Sequence, residues 1–393
     1  MNKKKILILT PRFPYPVIGG DRLRIYELCK ELSKTYSLTL VSLCESKDDI
    51  LYNVDDNVFE SIHRILQPKY KSYLNCLLSL PTGKPLQVAY YESKEFKVLV
   101  DKLAPKHDLI LPHLIRMANY AKDHSIPKVL EMTDAISMNY DRVLKTDNNA
   151  GFKGLIYKIE ASRLNKYEKN IVKHFDCNVL VSSFDRDFLF AKNSQEYENT
   201  LVCSNGVDLS KFTYNFCKGG KQLIFIGNMF SAQNFDAAYW FAQNVLPQLR
   251  KYSDYTFKVI GRIKDDDAKK LLMFDGVIVT GAVESVVKEA EGALAGICSV
   301  RLAAGVQNKI LEYMALGIPS ITTATGLEGL EAIPEKDILV ADTVEEFVTC
   351  ILRLDEDMIY SEDIAKNALA YVQNNHSWQG KLKPLVDTIK KII

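Results

Sequence analysis

A two-domain α/β protein with parallel sheets is the fold class predicted here, on three observations. The 393 residues suffice for two domains that each bury a core. In both halves, short apolar runs of strand length alternate with stretches of helical periodicity, the pattern of parallel sheets covered by helices. Between the halves lies the turn-rich segment SNGVDLSKF at 204–212, followed by a polar stretch at 215–220. Asn205 and Gly206 accept positive φ there, and Asp208 can turn back on its own backbone. Two Rossmann-like halves and a hinge are the expected whole.

Composition narrows the function. The chain is 47% hydrophobic and 25% charged, as soluble globular proteins are. With 50 basic against 49 acidic residues there is no global field to attract nucleic acid, so any anion site must be local. The 8 cysteines are scattered without a CxxC pair and read as reduced and structural. The opening MNKKKILILTPRFP is basic, but its apolar run covers only 6–9, which makes a first strand and not an export signal. No apolar run approaches the roughly 20 residues of a membrane helix. The expected location is the cytoplasm, with at most peripheral contact with the membrane.

In chain order, the strand at 6–9 leads through a Pro- and Gly-rich loop at 11–20 into a helix over 21–36 and a strand at 38–43. The loop, with Gly19 and Gly20, stands at a strand's carboxyl end, where open parallel sheets bind ligands. It lacks GxGxxG spacing, so a nicotinamide cofactor is not supported. Arg22 and Arg24 fit either a solvated helix face or a ligand contact. The stretch KYKSYLNCLLSLPTGK at 69–84 suits either a helix packed on its own domain or one lying on an anionic bilayer. A strand at 108–111 ends before His113. The strand at 129–132 ends before Asp134, which is placed to cap a helix starting at 135. A helical region broken near 148–151 and strands at 178–181 and 200–203 complete the half.

The second half opens with a strand at 223–226 that turns at Gly227 and Asn228. Strands at 257–260 and 277–279 end in Gly261 with Arg262, and in Gly281, Ala282 and Val283. These glycines would let a flat nucleobase lie against backbone, with Val283 an apolar wall. The triplet 265–267, DDD, opens a helix, where acidic residues are favoured in any case, and is not read as a metal site.

Most of the chemistry is expected in GICSVRLAAGVQNKILEYMALGIPSITT, which begins at Gly296: buried strand, turn, helix, buried strand. The helix is expected from Val306, with Ile310, Leu311, Met314 and Ala315 inward and a stop at Gly317 and Pro319. Its first amides, after the small Ala303, Ala304 and Gly305, have no internal partner and make an anion seat at Gly305, Val306, Gln307 and Asn308. Lys309 and Glu312, three apart, share a face there. A diphosphate on the amides and Lys309, with ribose hydroxyls on Glu312, would fit a sugar nucleotide.

The run GVQNKILEYMALGIP resembles the donor segment of the GT-B glycosyltransferases of family 4, close to the bacterial exopolysaccharide sugar transferases. GNMFSAQNFDAAYWF, HDLILPH and SNGVDLSKF resemble further segments of that family. The resemblance implies a GT-B fold: an acceptor-side domain over 1–212, a linker over 213–221, a nucleotide-sugar domain over 222–375 across a cleft from the first, and a return helix over 376–393. It implies a retaining, metal-independent hexosyl transfer without cofactor, from a nucleotide-diphosphate sugar to a glycan or lipid-linked glycan, in bacterial surface polysaccharide synthesis. His113 and Lys309 would be catalytic, Glu312 would hold the ribose, and Gly19, Gly20 and Asp134 would lie on the acceptor side. The chain departs from the family pattern at Ala304, where most members carry a glutamate, and at Asn228 and Gln233, where most carry the arginine and lysine that grip the diphosphate. Lys309 and Arg301 are the substitutes the sequence offers. A non-catalytic nucleotide-binding subunit and a GT-B sugar-nucleotide epimerase are the alternatives.

Overall fold

Apolar runs flanked by helices form parallel strands throughout this chain, seen in a computed structural model that describes residues 3–17, 20–144, 152–209, 212–216, 220–301 and 306–393. It divides into two compact units, Met1–Ser204 with Leu382–Ile393, and Asn205–Lys381.

In the first unit the strands are β1 (Lys5–Thr10), β2 (Ser37–Cys44), β3 (Ser61–Leu66), β4 (Leu109–Pro112), β5 (Val129–Thr133), β6 (Cys177–Leu180) and β7 (Thr200–Val202). Two parallel ladders run β3-β2-β1-β4 and β5-β6-β7. Parallel bridges Ile110 to Lys128 and His113 to Glu131 join β4 to β5. The spatial order is therefore 3-2-1-4-5-6-7, the doubly wound arrangement, and it reverses between β1 and β4. Strand β3 is not foreseen in the sequence: SIHRIL lies half-buried at the sheet edge and mixes polar with apolar residues, so its periodicity is weak. The helix after β1 spans Gly20–Ser33, shorter at its end than expected. The expected break at 148–151 lies outside the described residues.

The second unit holds β8 (Gln222–Ile226), β9 (Thr256–Ile260), β10 (Val277–Gly281), β11 (Ala295–Cys298), β12 (Ser320–Thr322) and β13 (Leu339–Val340) in the order β10-β9-β8-β11-β12-β13, all parallel. It reverses between β8 and β11. These two strands pair only at Ala295 with Leu223 and Gly296 with Ile224, and then part. The hydroxyl of Tyr313 fills the opening, accepting from the Ile226 amide at 2.8 Å and donating to the Ile297 carbonyl at 3.2 Å. Gly296 must be glycine: a Cβ there would stand 2.3 Å from the Tyr313 ring. Phe241, Phe257 and Phe347 anchor the core on the other face.

The helix beyond β11 runs Asn308–Leu316, two residues later than expected, with Gln307 as its cap residue. Ile310, Leu311, Met314 and Ala315 are buried as their spacing predicts. Gly317 ends it at φ 77, a conformation that favours glycine.

Candidate functional site

In open parallel sheets ligands bind beyond the carboxyl ends of strands where the order reverses. Each unit has one such point, and each gathers polar side chains.

In the first unit the point lies between β1 and β4. His113, just past β4, bonds through Nδ1 to Glu131 Oε2 at 2.5 Å, and Arg24 Nε donates to Glu131 Oε1 at 2.7 Å. Thr133 Oγ1 adds a bond to the same carboxylate at 2.9 Å. All three charged or titratable members are buried. Burial pushes the Glu131 carboxyl up, but the Arg24 guanidinium and the His113 ring more than offset it and hold the group at about 2. Ionised Glu131 accepts a hydrogen bond from Nδ1, which leaves Nε2 on the far side of the ring, without a hydrogen bond among the described residues. Leu114 and Thr133, on either side of this contact, both sit at φ 66, an uncommon conformation for side chains other than glycine, and β5 bulges between Glu131 and Thr133. Strain of this kind concentrates at functional sites.

Sequence reasoning found His113 and missed Glu131. The signal was present: a carboxylate in the otherwise apolar run VLEMT cannot be buried without partners. Arg24 is not on a solvated face; its guanidinium is buried against Glu131. Gly20 opens the first helix, and Gly19 lies outside the described residues. Asp134 follows β5, but the amides of Ala135 and Ile136 behind it are taken by carboxylates from elsewhere, Asp185 at 2.8 Å and Glu168 at 2.7 Å. The expected cap role is thus filled at these amides by residues remote in sequence.

In the second unit the strand ends after β8, β9 and β10 are stitched together. The Gly227 amide donates to the Ile260 carbonyl at 2.9 Å and the Gly261 amide to the Gly281 carbonyl at 3.2 Å. Gly261 has φ 135, and a Cβ there would lie 2.0 Å from the Gly227 oxygen, so only glycine closes this rim. Asn228 shapes the turn: its Oδ1 accepts from the Phe230 amide at 3.1 Å and its carbonyl from Asn234 Nδ2 at 3.0 Å. The Arg262 guanidinium lies over the Phe230 ring at 5.5 Å. Val283, half-buried, packs on the cluster that contains Ile260 and Tyr313.

Across the opening stands Lys309. It is 8% exposed, and its Nζ donates to Asn234 Oδ1 at 3.0 Å and to Gln307 Oε1 at 3.2 Å, with the Phe225 ring 5.1 Å away. All of these partners are neutral. Glu312, one turn on and half-buried, has its carboxyl pushed up to about 7 by burial, against the opposing pull of Lys309. A buried cation held only by amide oxygens and a ring is electrostatically incomplete. The helix beginning at Asn308 has no side-chain cap, and Val306 is buried beside it. Gly305 and Ala304 lie outside the described residues.

Arg301 is engaged by the fold: its Nη2 contacts both oxygens of Asp236 at 2.9 Å, and its guanidinium stands 5.5 Å from the Trp240 ring. Two contacts were not foreseen. Asn234, not Gln233, is the residue after β8 that reaches Lys309. Asn205 of the turn between the halves donates to Asn308 Oδ1 at 2.8 Å and so fastens the helix start. Gly206 lets this turn press on the Trp378 backbone, where a Cβ would be 2.6 Å away. The acidic triplet opens the helix Asp265–Leu271, Asp267 bonding to Lys270 at 2.8 Å.

The whole chain can be set beside solved structures. Sucrose-phosphate synthase from Thermosynechococcus elongatus matches with a TM-score of 0.75 at 14% identity, over 99% of both chains. The fold is GT-B. Anabaena HepE, a structure in complex with UDP and glucose, matches this GT-B chain with a TM-score of 0.70 at 14% identity, over 99% of this chain and 100% of that one. Residues 220–357, within the second GT-B unit, match the family described as glycosyl transferases group 1. A Klebsiella pneumoniae relative, an uncharacterized 44.6 kDa protein in the cps region, is 23% identical over 95% of this chain and 96% of its own.

Proposed function

We propose that this GT-B protein is a glycosyltransferase that moves a hexose from a nucleotide-diphosphate sugar to a glycan or lipid-linked glycan in bacterial surface polysaccharide synthesis. The single observation that carries the reading is Lys309, a buried cation that is hydrogen-bonded only to amide oxygens among the described residues, at the point where the second sheet reverses. A diphosphate supplies the missing charge. The match of residues 220–357 to group 1 glycosyl transferases supports sugar transfer. HepE is solved with UDP and glucose, which supports a nucleotide-sugar donor, and the relative from a cps region supports a polysaccharide product.

In this reading the first amides of the helix at Asn308 and the Lys309 ammonium bind the diphosphate, and stabilise the charge that grows on it as the glycosidic bond to the leaving group breaks. Ionised Glu312 accepts from the ribose hydroxyls. Gly281, where a Cβ would meet nothing within 4 Å, leaves room for a base against the backbone. In the first unit, Glu131 fixes the ring of His113 through Nδ1 and leaves Nε2 for the substrate. Retention of configuration and independence of metal are part of the proposal, on the resemblance of the donor segment to family 4.

A thermal-shift panel of UDP-, GDP-, ADP- and dTDP-sugars on wild type and Lys309→Ala, without added metal, tests it. A ligand that binds the folded state raises its stability by RT ln(1 + [L]/Kd). A shift with one nucleotide, lost in Lys309→Ala, is the expected result; the same shift in both proteins would remove Lys309 from the site. The second reading, a non-catalytic nucleotide-binding subunit, draws on Arg301 being engaged by Asp236 and on Asn228 shaping a turn. Donor binding without any new glycosidic bond on any acceptor tried would favour it, and conversion of the donor without an acceptor would favour an epimerase.

A further inference from the structure

One helix of the first unit is inside out. In Lys69–Ser79 the residues Tyr70, Tyr73, Leu74, Leu77 and Leu78 recur at i, i+3, i+4, i+7 and i+8, the stripe that ordinarily faces a core. Here the stripe faces solvent, with exposures from 53% at Leu74 to 69% at Tyr70. The inward face is small and polar: Ser72 and Ser79 are buried, Asn75 Nδ2 donates to the Glu92 carbonyl at 2.8 Å, and Cys76 lies against the Leu86 carbonyl at 3.5 Å. Leu80, beyond the helix end, extends the outward stripe at 49% exposure.

Charge identifies what would cover it. At the helical turn per residue, Lys69 and Lys71 fall on the two edges of the apolar stripe, and both are exposed. Among the described residues Lys69 pairs with Glu45 alone, at 3.9 Å. From residue 68 to residue 91 the chain has no Asp or Glu, while Lys69, Lys71 and Lys84 are present. Lys84 pairs with Glu92 at 2.5 Å, but the helix itself carries no carboxylate, and an apolar stripe of leucines and tyrosines bordered by Lys69 and Lys71 complements an anionic lipid surface: the leucines enter the acyl boundary, the tyrosines sit at headgroup level and the lysines meet phosphates.

We propose that the face of Lys69–Ser79 docks the protein on an anionic bilayer, flat against the surface. No helix among the described residues is long and apolar enough to cross a membrane, and this contact needs none. The proposal goes beyond the donor reading and does not depend on it, since its test uses no sugar nucleotide.

The full chain is sedimented with vesicles of phosphatidylcholine alone and of phosphatidylcholine mixed with phosphatidylglycerol. Expected is co-sedimentation with the anionic vesicles only, weakened by salt, and reduced at least about tenfold in Leu74→Ser/Leu77→Ser/Leu78→Ser and in Lys69→Glu/Lys71→Glu. All five positions are exposed, so both variants should retain the wild-type melting midpoint. Wild type left in the supernatant with anionic vesicles would overturn the proposal, as would equal pelleting of the folded triple variant. So would a lipid-free dimer in sedimentation velocity that the triple variant abolishes, since the face would then belong to a second copy.

Discussion

The carboxylate of Glu131 meets the His113 ring at 2.5 Å and the Arg24 guanidinium at 2.7 Å, fully buried where the first sheet reverses. It bridges the helix after β1 to the ends of β4 and β5. Removing it takes from buried Arg24 the carboxylate that its Nε meets at 2.7 Å, so Glu131→Ala should lose about 3–5 kcal/mol of stability. Glu131→Gln, which keeps the shape and one acceptor, should lose less. Urea denaturation near neutral pH measures both, and a wild-type midpoint for Glu131→Ala would show that the contact does not hold β4 to β5. Acid offers a second readout. The group is lowered from 4.5 to about 2, so its contribution is fully present above about 4.5 and is lost as pH falls through about 2. Glu131→Gln should lack that part of the acid dependence.

Lys309→Ala should separate binding from folding. An ammonium bonded to a phosphate contributes about 1.5–3 kcal/mol, so Kd for the donor should rise on the order of 10- to 100-fold. The folded state gains little from the same group, since it buries a charge whose hydrogen bonds go to neutral oxygens and whose neighbour Glu312 is held up to about 7. The melting midpoint without ligand should therefore stay the same or rise. Titration calorimetry with the responsive nucleotide and a ligand-free melt check the pair of outcomes; a large loss of stability with unchanged affinity would make Lys309 a structural residue.

What could be read in the sequence was local. Ile6 to Leu9, Leu223 to Ile226 and the face Ile310, Leu311, Met314 and Ala315 announce themselves by period, and Gly317 by the turn it must make. What could not be read depends on which strands become neighbours. Glu131 reaches His113 because β4 lies beside β5, a fact of topology that no spacing encodes. Asn234 reaches Lys309 from 75 residues away, and Asp236 takes Arg301 from 65. The half-buried edge strand β3 was lost for another reason: a strand with polar residues on both faces has weak alternation to detect.

Tyr313 holds the mouth of the second site open. Its hydroxyl serves the Ile226 amide and the Ile297 carbonyl where β8 and β11 part. Tyr313→Phe leaves both groups buried and unbonded, which should cost about 1–3 kcal/mol. Since Gly227 follows Ile226 directly, donor affinity should fall as well. Hydrogen exchange at the Ile226 amide should accelerate in the variant, and an amide as protected as in wild type would show that another acceptor replaces the hydroxyl.

Glu312 and Glu168 make the protein sensitive to pH near neutrality, with opposite effects on stability and on binding. Burial raises each carboxyl from 4.5 to about 7; Lys309 opposes it at Glu312, while Ser137 and the Ile136 amide oppose it at Glu168. A folded value above the unfolded one means that the folded state holds the extra proton, so stability should fall as pH rises from about 4.5 to about 7. For Glu168 the loss is on the order of 3 kcal/mol, and Glu168→Gln should flatten that slope. Donor binding should run the other way. If Glu312 holds the ribose as proposed, its ionised form is the one that accepts from the hydroxyls, so affinity should rise as pH passes about 7, and Glu312→Gln should make it nearly pH-independent in that range. Kd measured across pH 6 to 8, on the order of one unit either side of the midpoint, decides between the alternatives. A slope that survives in Glu312→Gln would place the titrating group elsewhere, on the nucleotide or on another side chain.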